Sequence, residues 1–351
     1  MEKTAKRFVL LTLGAAAAVL ALCAALVVWA DPCFYYQWPG NLPPVFFNER
    51  YQNAGMAKNV AADTVVMGTS MTANYRVSQV EGAFGGSAVK LTFPDGYLSE
   101  FDRAMDVVFR YHHPERVLFG LDINVLTRDE SKKTDAMPSY LYDRNPLNDV
   151  KYLLNKDTLY YSLYRVKCSQ WGTTETVDEA YTWDGDVYWS KATALAGYQR
   201  PEVSGGTLPA DAYLANARAN TEVVLAWAQA HPETEFCVFF PPYSMLYWDK
   251  MQRTGATDAV FAALEDTIGR LGQAENVRVF FFPAQADIVT DLDNYGDYIH
   301  HSGAVCTTLL GELAAGAYEI DPADAENVRQ VLSQWRDFVV HYDYEAIWEE
   351  A

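Results

Sequence analysis

Two short stretches far apart in the chain contain the residue types of a serine hydrolase site. Ser70 follows the apolar run 64–67, whereas Asp297 and His300 lie three residues apart near the other end of the chain. A serine hydroxyl becomes a strong nucleophile when an imidazole takes its proton, and a carboxylate can orient that imidazole. These residues predict acyl transfer on an ester, with Ser70 as nucleophile, His300 as base and Asp297 as orienting group. His301 is an alternative base.

Two more groups could stabilise the negative charge that develops on the carbonyl oxygen. Gly96 follows the second apolar run and offers a backbone N–H, and Asn124 follows the third run and offers a side-chain amide. Each donor of such an oxyanion hole can lower the barrier by about 3 kcal/mol. Asp122 competes with Asn124 for a role at this position, and an Asn there can also cap a turn.

The fourth apolar run ends in a proline-rich turn that could border the same pocket. Tyr243 and Ser244 follow Pro241 and Pro242. We expect these two hydroxyl side chains to line the substrate pocket, although a rigid turn explains the prolines equally well. The spacing of His, Cys, Asp and Glu predicts no metal site, and the proposed acyl transfer requires no cofactor.

The elements that must position these groups are short apolar runs, and they occupy residues 64–67, 88–93, 116–121, 235–240 and 277–282. Continuous apolarity is typical of parallel strands that are covered on both faces. Helical periodicity appears between them, at 98–111, 211–230 and 256–271. The pattern predicts an α/β fold with three αβα layers and a doubly wound, mostly parallel five-stranded sheet. Ligands of such sheets bind at the carboxyl ends of the strands.

One long segment interrupts the alternation of strands and helices. Residues 126–209 are dense in Tyr and Trp. They could form a lid or a sugar-stacking wall over the site, or an ordinary subdomain whose aromatic side chains fill a small core. At the other end of the chain, residues 321–351 predict a packing helix that begins with Asp321 as its N-cap.

The amino-terminal segment predicts a membrane anchor. Residues 8–30 contain no charged side chain, and about 20 such residues suffice to cross a bilayer. Lys3, Lys6 and Arg7 precede the stretch and Asp31 follows it, which favours a cytoplasmic amino end and an exported remainder. A cleaved signal peptide is the alternative, but its apolar region is usually shorter. We therefore expect a cytoplasmic tip and transmembrane helix over 1–31 and a stalk over 32–60.

Charge and cysteine content limit the class of partner. The net charge is −19, which repels phosphate backbones and argues against binding to nucleic acid. Cys33, Cys168, Cys237 and Cys306 lie outside the predicted span and form no closely spaced pair. We expect these four cysteines to be free thiols.

The motifs resemble those of the SGNH (GDSL-like) hydrolase superfamily. Gly68-Thr69-Ser70 is similar to its first block, although Thr69 stands where Asp is usual, and Asp297-Tyr-Ile-His300 is similar to its last block. Gly96 and Asn124 would represent the middle blocks, and the third block has Asp-Ile-Asn instead of Gly-x-Asn-Asp. The resemblance is strongest to membrane-anchored exported members, such as the teichoic acid D-alanine-transfer protein and alginate-type acetylation proteins.

This resemblance implies a catalytic domain over 61–320 and esterase or O-acyltransferase activity on the acyl groups, most simply acetyl, of a cell-envelope polysaccharide. It also implies a plasma-membrane location with an extracytoplasmic catalytic domain and a multi-spanning membrane acyltransferase as partner. The choice between esterase and transferase stays open. The alternative function is a non-catalytic glycan-binding or scaffold subunit that uses the aromatic insertion for contact.

Overall fold

The computed structural model describes residues 2–129, 131–134, 137–172 and 175–349. The chain forms two compact units. The first, called the anchor unit, comprises residues 1–60 and 136–180, and the second, called the sheet unit, comprises residues 61–135 and 181–351. The aromatic-rich segment 126–209 is therefore divided between the two units, whereas the sequence predicted a single insertion within the catalytic domain.

A six-stranded sheet forms the centre of the sheet unit. Its strands are β1 Thr64–Gly68, β2 Ala88–Thr92, β3 Arg116–Gly120, β4 Glu235–Phe240, β5 Val277–Phe281 and β6 Glu319–Ile320. The order across the sheet is β2-β1-β3-β4-β5-β6, with parallel pairing throughout except for β6, which pairs antiparallel with β5. The mixed α/β fold with a mostly parallel sheet is confirmed. The sixth strand was not predicted because two residues are too few to form a pattern.

The helices fall between the strands and at the two ends of the chain. They are α1 Glu2–Ala30, α2 Glu49–Asn59, α3 Val77–Phe84, α4 Leu98–Tyr111, α5 Ile123–Leu126, α6 Ser139–Tyr142, α7 Val150–Leu153, α8 Lys156–Trp171, α9 Lys191–Ala196, α10 Leu214–Ala230, α11 Met245–Arg253, α12 Thr257–Leu271, α13 Ala286–Val289, α14 Gly303–Ala315, α15 Ala325–His341 and α16 Ala346–Glu349. Helix α15 begins three residues later than the Asp321–Pro322 pattern predicted. Its N-cap is Asp324, whose carboxylate accepts from the backbone N–H groups of Glu326 and Asn327.

Helices cover both faces of the sheet. On one face, Val66, Leu118 and Cys237 belong to a buried cluster that includes side chains of α3 and α14. On the other face, Phe119 meets the ring of Phe101 from α4 at 5.5 Å. Trp227 from α10 lies 5.4 Å from Phe119 on that face. The sheet is buried on both sides, which explains why its strands are continuously apolar.

The anchor unit contains the longest helix of the described residues. The stretch Lys3–Ala30 of α1 is long and apolar enough to cross a bilayer, and only 6% of its most apolar 18 residues is buried. A helix at the core of a soluble protein would be covered, so this exposure favours a membrane span. The last turns of α1 pack against α7 and α8, where Val27 and Ala30 become fully buried.

Two glycines at strand ends allow a close approach between β1, β3 and the turn that follows β1. A Cβ on Gly120 would lie 2.7 Å from Cγ2 of Thr72 and 3.1 Å from Cζ of Phe239. A Cβ on Gly68 would lie 2.6 Å from the same Thr72 methyl group. Thr72 is the last residue of a short 3-10 turn, Ser70–Thr72. The position of this turn therefore depends on the absence of side chains at the ends of both strands.

We predict that Gly120→Ala lowers the free energy of unfolding by about 1–3 kcal/mol, because the added methyl group overpacks the Thr72 contact. Urea denaturation of the full chain measures the change. Adding Thr72→Ser removes the Cγ2 methyl group and should recover part of the loss. Gly269→Ala in α12 is the matched control, since its new Cβ meets no atom within 4 Å other than its chain neighbours and the backbone of its own helix. Equal stability of Gly120→Ala and wild type would contradict this packing.

Candidate functional site

Ser70 lies at the carboxyl end of β1, at the beginning of the turn Ser70–Thr72. Thr69 caps this turn, because its side chain accepts from the backbone N–H of Met71 and its carbonyl accepts from the N–H of Thr72. Ser70 is partly exposed, although the strand before it is fully buried. The hydroxyl of Ser70 is therefore presented to solvent from a rigid strand end.

Asp297 and His300 form a tight loop. One carboxylate oxygen of Asp297 accepts from the backbone N–H groups of Ile299 and His300, each at 2.8 Å. The backbone closes the loop through the N–H of Gly296, which donates to the carbonyl of His300 at 3.0 Å. An Asp side chain that bonds to backbone two and three residues ahead stabilises such a turn. The Asp-x-x-His spacing thus produces a defined geometry.

Three side chains from distant parts of the sequence, Ser70, His300 and Asp297, are connected by two successive hydrogen-bond contacts. The hydroxyl oxygen of Ser70 lies 2.8 Å from Nε2 of His300. Nδ1 of the same ring lies 2.6 Å from the second carboxylate oxygen of Asp297. The side chains of His300 and Asp297 are 23% and 34% exposed, so water and small solutes can reach them. The sequence predicted these three residues, and the fold brings them together.

The surroundings of Asp297 favour its ionised form. Burial raises the pKa of Asp297, but the hydrogen bond and the charge of His300 lower it, and so do the backbone N–H groups of His300 and Ile299. The balance leaves the pKa below its usual value. An ionised carboxylate at Nδ1 keeps a proton on that nitrogen, which leaves Nε2 free to accept the proton of Ser70.

The loop that carries His300 is fastened to the end of β4. The hydroxyl of Tyr295 donates to the carbonyl of Pro242 at 2.8 Å, and the hydroxyl of Ser244 donates to the carbonyl of Tyr298 at 2.7 Å. Ser244 is fully buried and also caps α11 by accepting from the N–H of Leu246. The expectation that Ser244 lines a substrate pocket is therefore corrected: its hydroxyl holds the imidazole loop in place.

Asp122 lies at the end of β3 and is buried beneath the Ser70 turn. Its two carboxylate oxygens accept from the hydroxyl of Thr69, at the end of β1, and from the hydroxyl of Tyr243, just beyond β4. Burial raises the pKa of Asp122, and these two hydrogen bonds oppose the rise. Tyr243 is itself 1% exposed. It positions Asp122 instead of lining the pocket, which corrects the prediction for this residue.

The two predicted oxyanion donors differ in their availability. The backbone N–H of Gly96 donates to the carbonyl of Phe93 at 2.8 Å, within the turn that follows β2. The N–H group of Gly96 is therefore already used within the turn and does not point to an oxyanion as predicted. Asn124 is the second residue of α5, and its side chain is partly exposed. Its backbone N–H faces the hydroxyl of Tyr243, so Asn124 lies beside the contact between Tyr243 and Asp122.

Trp183 forms one side of the site. Its ring meets the His300 ring edge-on at 5.2 Å, and the ring of Trp189 lies 5.4 Å from that of Trp183. The backbone N–H of Trp183 donates to the side-chain oxygen of Asn74 at 3.0 Å. The sequence predicted that the aromatic segment 126–209 could lie over the site, but it did not indicate which aromatic residue contacts His300. Asn74 lies four residues after Ser70, and nothing in its local pattern indicated this contact.

The structure distinguishes the two candidate bases. His301 is 3% exposed, and its Nδ1 lies 3.4 Å from the carbonyl of Ser302 and 3.6 Å from Sγ of Cys306. Its Nε2 is buried without a partner among the described residues. Burial lowers the pKa of His301 to about 4, with a smaller contribution from the neighbouring His300 and against the hydrogen bond to the Ser302 carbonyl. His300 is the imidazole that contacts Ser70.

The arrangement can activate a hydroxyl nucleophile with an oriented imidazole. In the described ranges 2–129, 131–134, 137–172 and 175–349, no group of three His, Cys, Asp or Glu side chains could hold a metal ion. No protein-family model, curated protein or solved structure matches this chain. The function is therefore inferred from the geometry of these residues.

We predict that His301→Asn reduces the sensitivity of folding to acid. A histidine with a lowered folded pKa stabilises the fold above its unfolded pKa of about 6.5, and that stability is lost as pH falls towards 4. The loss amounts to up to about 3 kcal/mol. Asn keeps a donor near Ser302 but does not titrate. Urea denaturation between pH 7 and 4 should give a shallower pH dependence for the variant, whereas parallel curves would contradict the buried neutral imidazole.

Proposed function

We propose that this chain is an exported, membrane-tethered serine esterase or O-acyltransferase that acts on the acyl groups of a cell-envelope polysaccharide. Acetyl is the acyl group we favour. The observation that carries the proposal is the contact of 2.8 Å between the Ser70 hydroxyl and Nε2 of His300, made across 230 residues of sequence. The same residues lie in the two segments that resemble SGNH-type motifs, which agrees with the proposal.

The proposed reaction has two steps. Ser70 Oγ attacks the ester carbonyl carbon while Nε2 of His300 takes the hydroxyl proton, and the imidazolium then protonates the leaving alkoxide as the C–O bond breaks. In the second step, water or a sugar hydroxyl attacks the acyl-Ser70 and returns the proton through His300. Asp297 stabilises the imidazolium in both steps.

Two groups are suited to bind the oxyanion. Ser70 is the first residue of the turn Ser70–Thr72, and its backbone N–H takes no part in the hydrogen bonds of that turn. This N–H can serve as the first donor. The side-chain amide of Asn124 supplies the second donor in this proposal. Gly96 is omitted because its N–H is engaged with Phe93.

The proposed location follows from the amino-terminal helix. Lys3, Lys6 and Arg7 precede the apolar stretch, which favours a cytoplasmic amino end under the positive-inside rule. A cleaved signal peptide would remove the segment whose last residues, Val27 and Ala30, are buried in the anchor unit. This packing supports an uncleaved anchor, and the proposed multi-spanning acyltransferase would meet the chain in the same membrane.

We predict that Ser70→Ala abolishes hydrolysis of 4-nitrophenyl acetate by the full chain in nanodiscs, with kcat reduced about 10⁴-fold or more because the nucleophile is missing. Asp297→Asn should lower kcat by roughly 10⁴-fold, since the imidazole tautomer changes. Absorbance of released 4-nitrophenolate measures both rates.

Ser333→Ala is the matched control for this experiment. Ser333 is exposed on α15, where its hydroxyl bonds, among the residues that the structure describes, to the carbonyl of Gln330. Its variant should retain the wild-type rate. Activity undiminished in Ser70→Ala would reject Ser70 as the nucleophile, and absence of activity in the wild type as well as in all variants would favour the glycan-binding alternative.

A polysaccharide substrate is favoured by the aromatic wall of Trp183 and Trp189 beside His300. The face of an indole ring can pack against the apolar face of a sugar ring, and the indole buries a large area at low entropic cost. The same wall supports the second candidate function, a non-catalytic glycan-binding subunit, because it needs no covalent chemistry.

We predict that Trp183→Ala raises KM for an acetylated oligosaccharide about tenfold, because it removes contact with the sugar, and changes kcat/KM for 4-nitrophenyl acetate less than about threefold. Measured acetate release gives the first value. Tyr188→Ala is the control, since Tyr188 is 80% exposed in the same segment. A parallel loss on both substrates would show that Trp183 acts on His300 instead of on the sugar.

A further inference from the structure

Helix α8 of the anchor unit has two opposite faces of different character. Its buried face consists of Thr158, Ser162, Arg165 and Cys168. The opposite face is exposed and mostly aromatic or aliphatic, and we call it the aromatic stripe: Tyr160, Leu163, Tyr164, Lys167 and Trp171. Spacings of three and four residues place these five side chains on one side of the helix. Trp171 is 70% exposed and Tyr160 is 61% exposed.

Arg165 fastens α8 to the end of α1. One guanidinium nitrogen of Arg165 donates to the carbonyls of Ala30 and Asp31, at 2.6 and 2.5 Å. The remaining N–H groups donate to the carbonyls of Pro39, Leu42 and Pro43. All five donors of a buried guanidinium are thus used. Separating α8 from α1 would break the hydrogen bonds to Ala30 and Asp31.

The length of α1 places its last turn near the surface of a bilayer. Residues Lys3–Ala30 form 28 residues of helix, which corresponds to roughly 42 Å at about 1.5 Å per residue. The hydrocarbon core of a bilayer is only about 30 Å thick. If α1 crosses it, the turn that ends at Ala30 lies at the headgroup level. Trp29, in this turn, is 46% exposed, as expected for an interfacial aromatic residue.

We infer that the aromatic stripe of α8 lies in the headgroup region of the bilayer that α1 crosses. Helix α8 contacts α1, and Arg165 in α8 bonds to the carbonyls at the end of α1, so α8 lies beside the turn at the headgroup level. Tyr and Trp are the residues that favour this region, since one end of each ring is apolar and the other is polar. Leu147, Val150 and Leu154, around α7, add exposed aliphatic surface to the same unit. The inference rests on α1 as a membrane span and is independent of the proposed catalysis.

The composition of the stripe also predicts the kind of lipid contact. Lys167 is its only cation, and the ammonium group lies 4.2 Å from the centre of the Trp171 ring. Attraction to anionic lipids needs several basic residues. Contact with the bilayer should therefore come from insertion of apolar side chains, and it should persist at high salt.

The test uses the full chain in nanodiscs of phosphatidylcholine, with and without bromine atoms at carbons 6 and 7 of the acyl chain. The chain has nine tryptophans, so the emission of Trp171 is obtained as the difference between wild type and Trp171→Phe. Trp29→Phe gives the matched reference, because Trp29 lies in the last turn of α1. We expect brominated lipid to reduce the Trp171 difference signal at least twofold, as for Trp29, at low salt and in 0.5 M NaCl.

The other outcomes overturn the inference in distinguishable ways. Quenching of Trp171 by aqueous iodide but not by brominated lipid would place the stripe in water. Protection from both quenchers would place the stripe against protein, either a second copy of this chain or the scaffold protein of the nanodisc. Failure of brominated lipid to quench Trp29 as well would show that α1 does not occupy the bilayer.

Discussion

A buried carboxylate joins the ends of three adjacent strands. Asp122, just beyond β3, accepts a hydrogen bond from the Thr69 hydroxyl at the end of β1 and another from the Tyr243 hydroxyl, three residues beyond β4. A carboxylate in such a place loses its hydration and depends on these donors. Thr69 directly precedes Ser70, and Tyr243 directly precedes Ser244, whose hydroxyl holds the loop that carries His300. Both halves of the site therefore depend on the carboxylate of Asp122.

The second half of the site is held mainly by hydrogen bonds between side chains and backbone groups. Asp297 uses one carboxylate oxygen to shape the loop and the other to meet the imidazole. Tyr295 and Ser244 attach the loop to the end of β4 from two directions. Ring orientation is therefore defined before any substrate binds. Preorganisation of this kind lowers the reorganisation that a reaction must accomplish.

The parts that sequence predicted well are those with a local physical signal. Continuous apolarity identified the first five strands to within one residue at each end, and the Asp-x-x-His spacing identified a loop that side chain and backbone stabilise together. The roles of Tyr243, Ser244 and Gly96 were not predictable, because a hydroxyl or an N–H at a strand end can point outwards or bond internally. Only tertiary contacts decide between these two states.

The domain organisation also depends on long-range contacts, which the local sequence pattern does not show. Residues 136–180 resembled part of one aromatic insertion, whereas they belong with the amino-terminal segment. Arg165 bonds to carbonyls more than 120 residues away, and no local pattern marks such a contact. The helix start at Asp324 was missed because Asp321-Pro322 offers the same cap chemistry three residues earlier.

The five carbonyls bound by Arg165 have a mechanical consequence for the segment that follows α1. A free chain from Pro32 to Pro44 could extend by roughly 45 Å, at about 3.4 Å per residue. Three of its carbonyls, those of Pro39, Leu42 and Pro43, bond to the buried guanidinium, which fixes the second half of this segment to α8. A force applied to the chain beyond Pro44 should therefore be transmitted directly to α8 and α1.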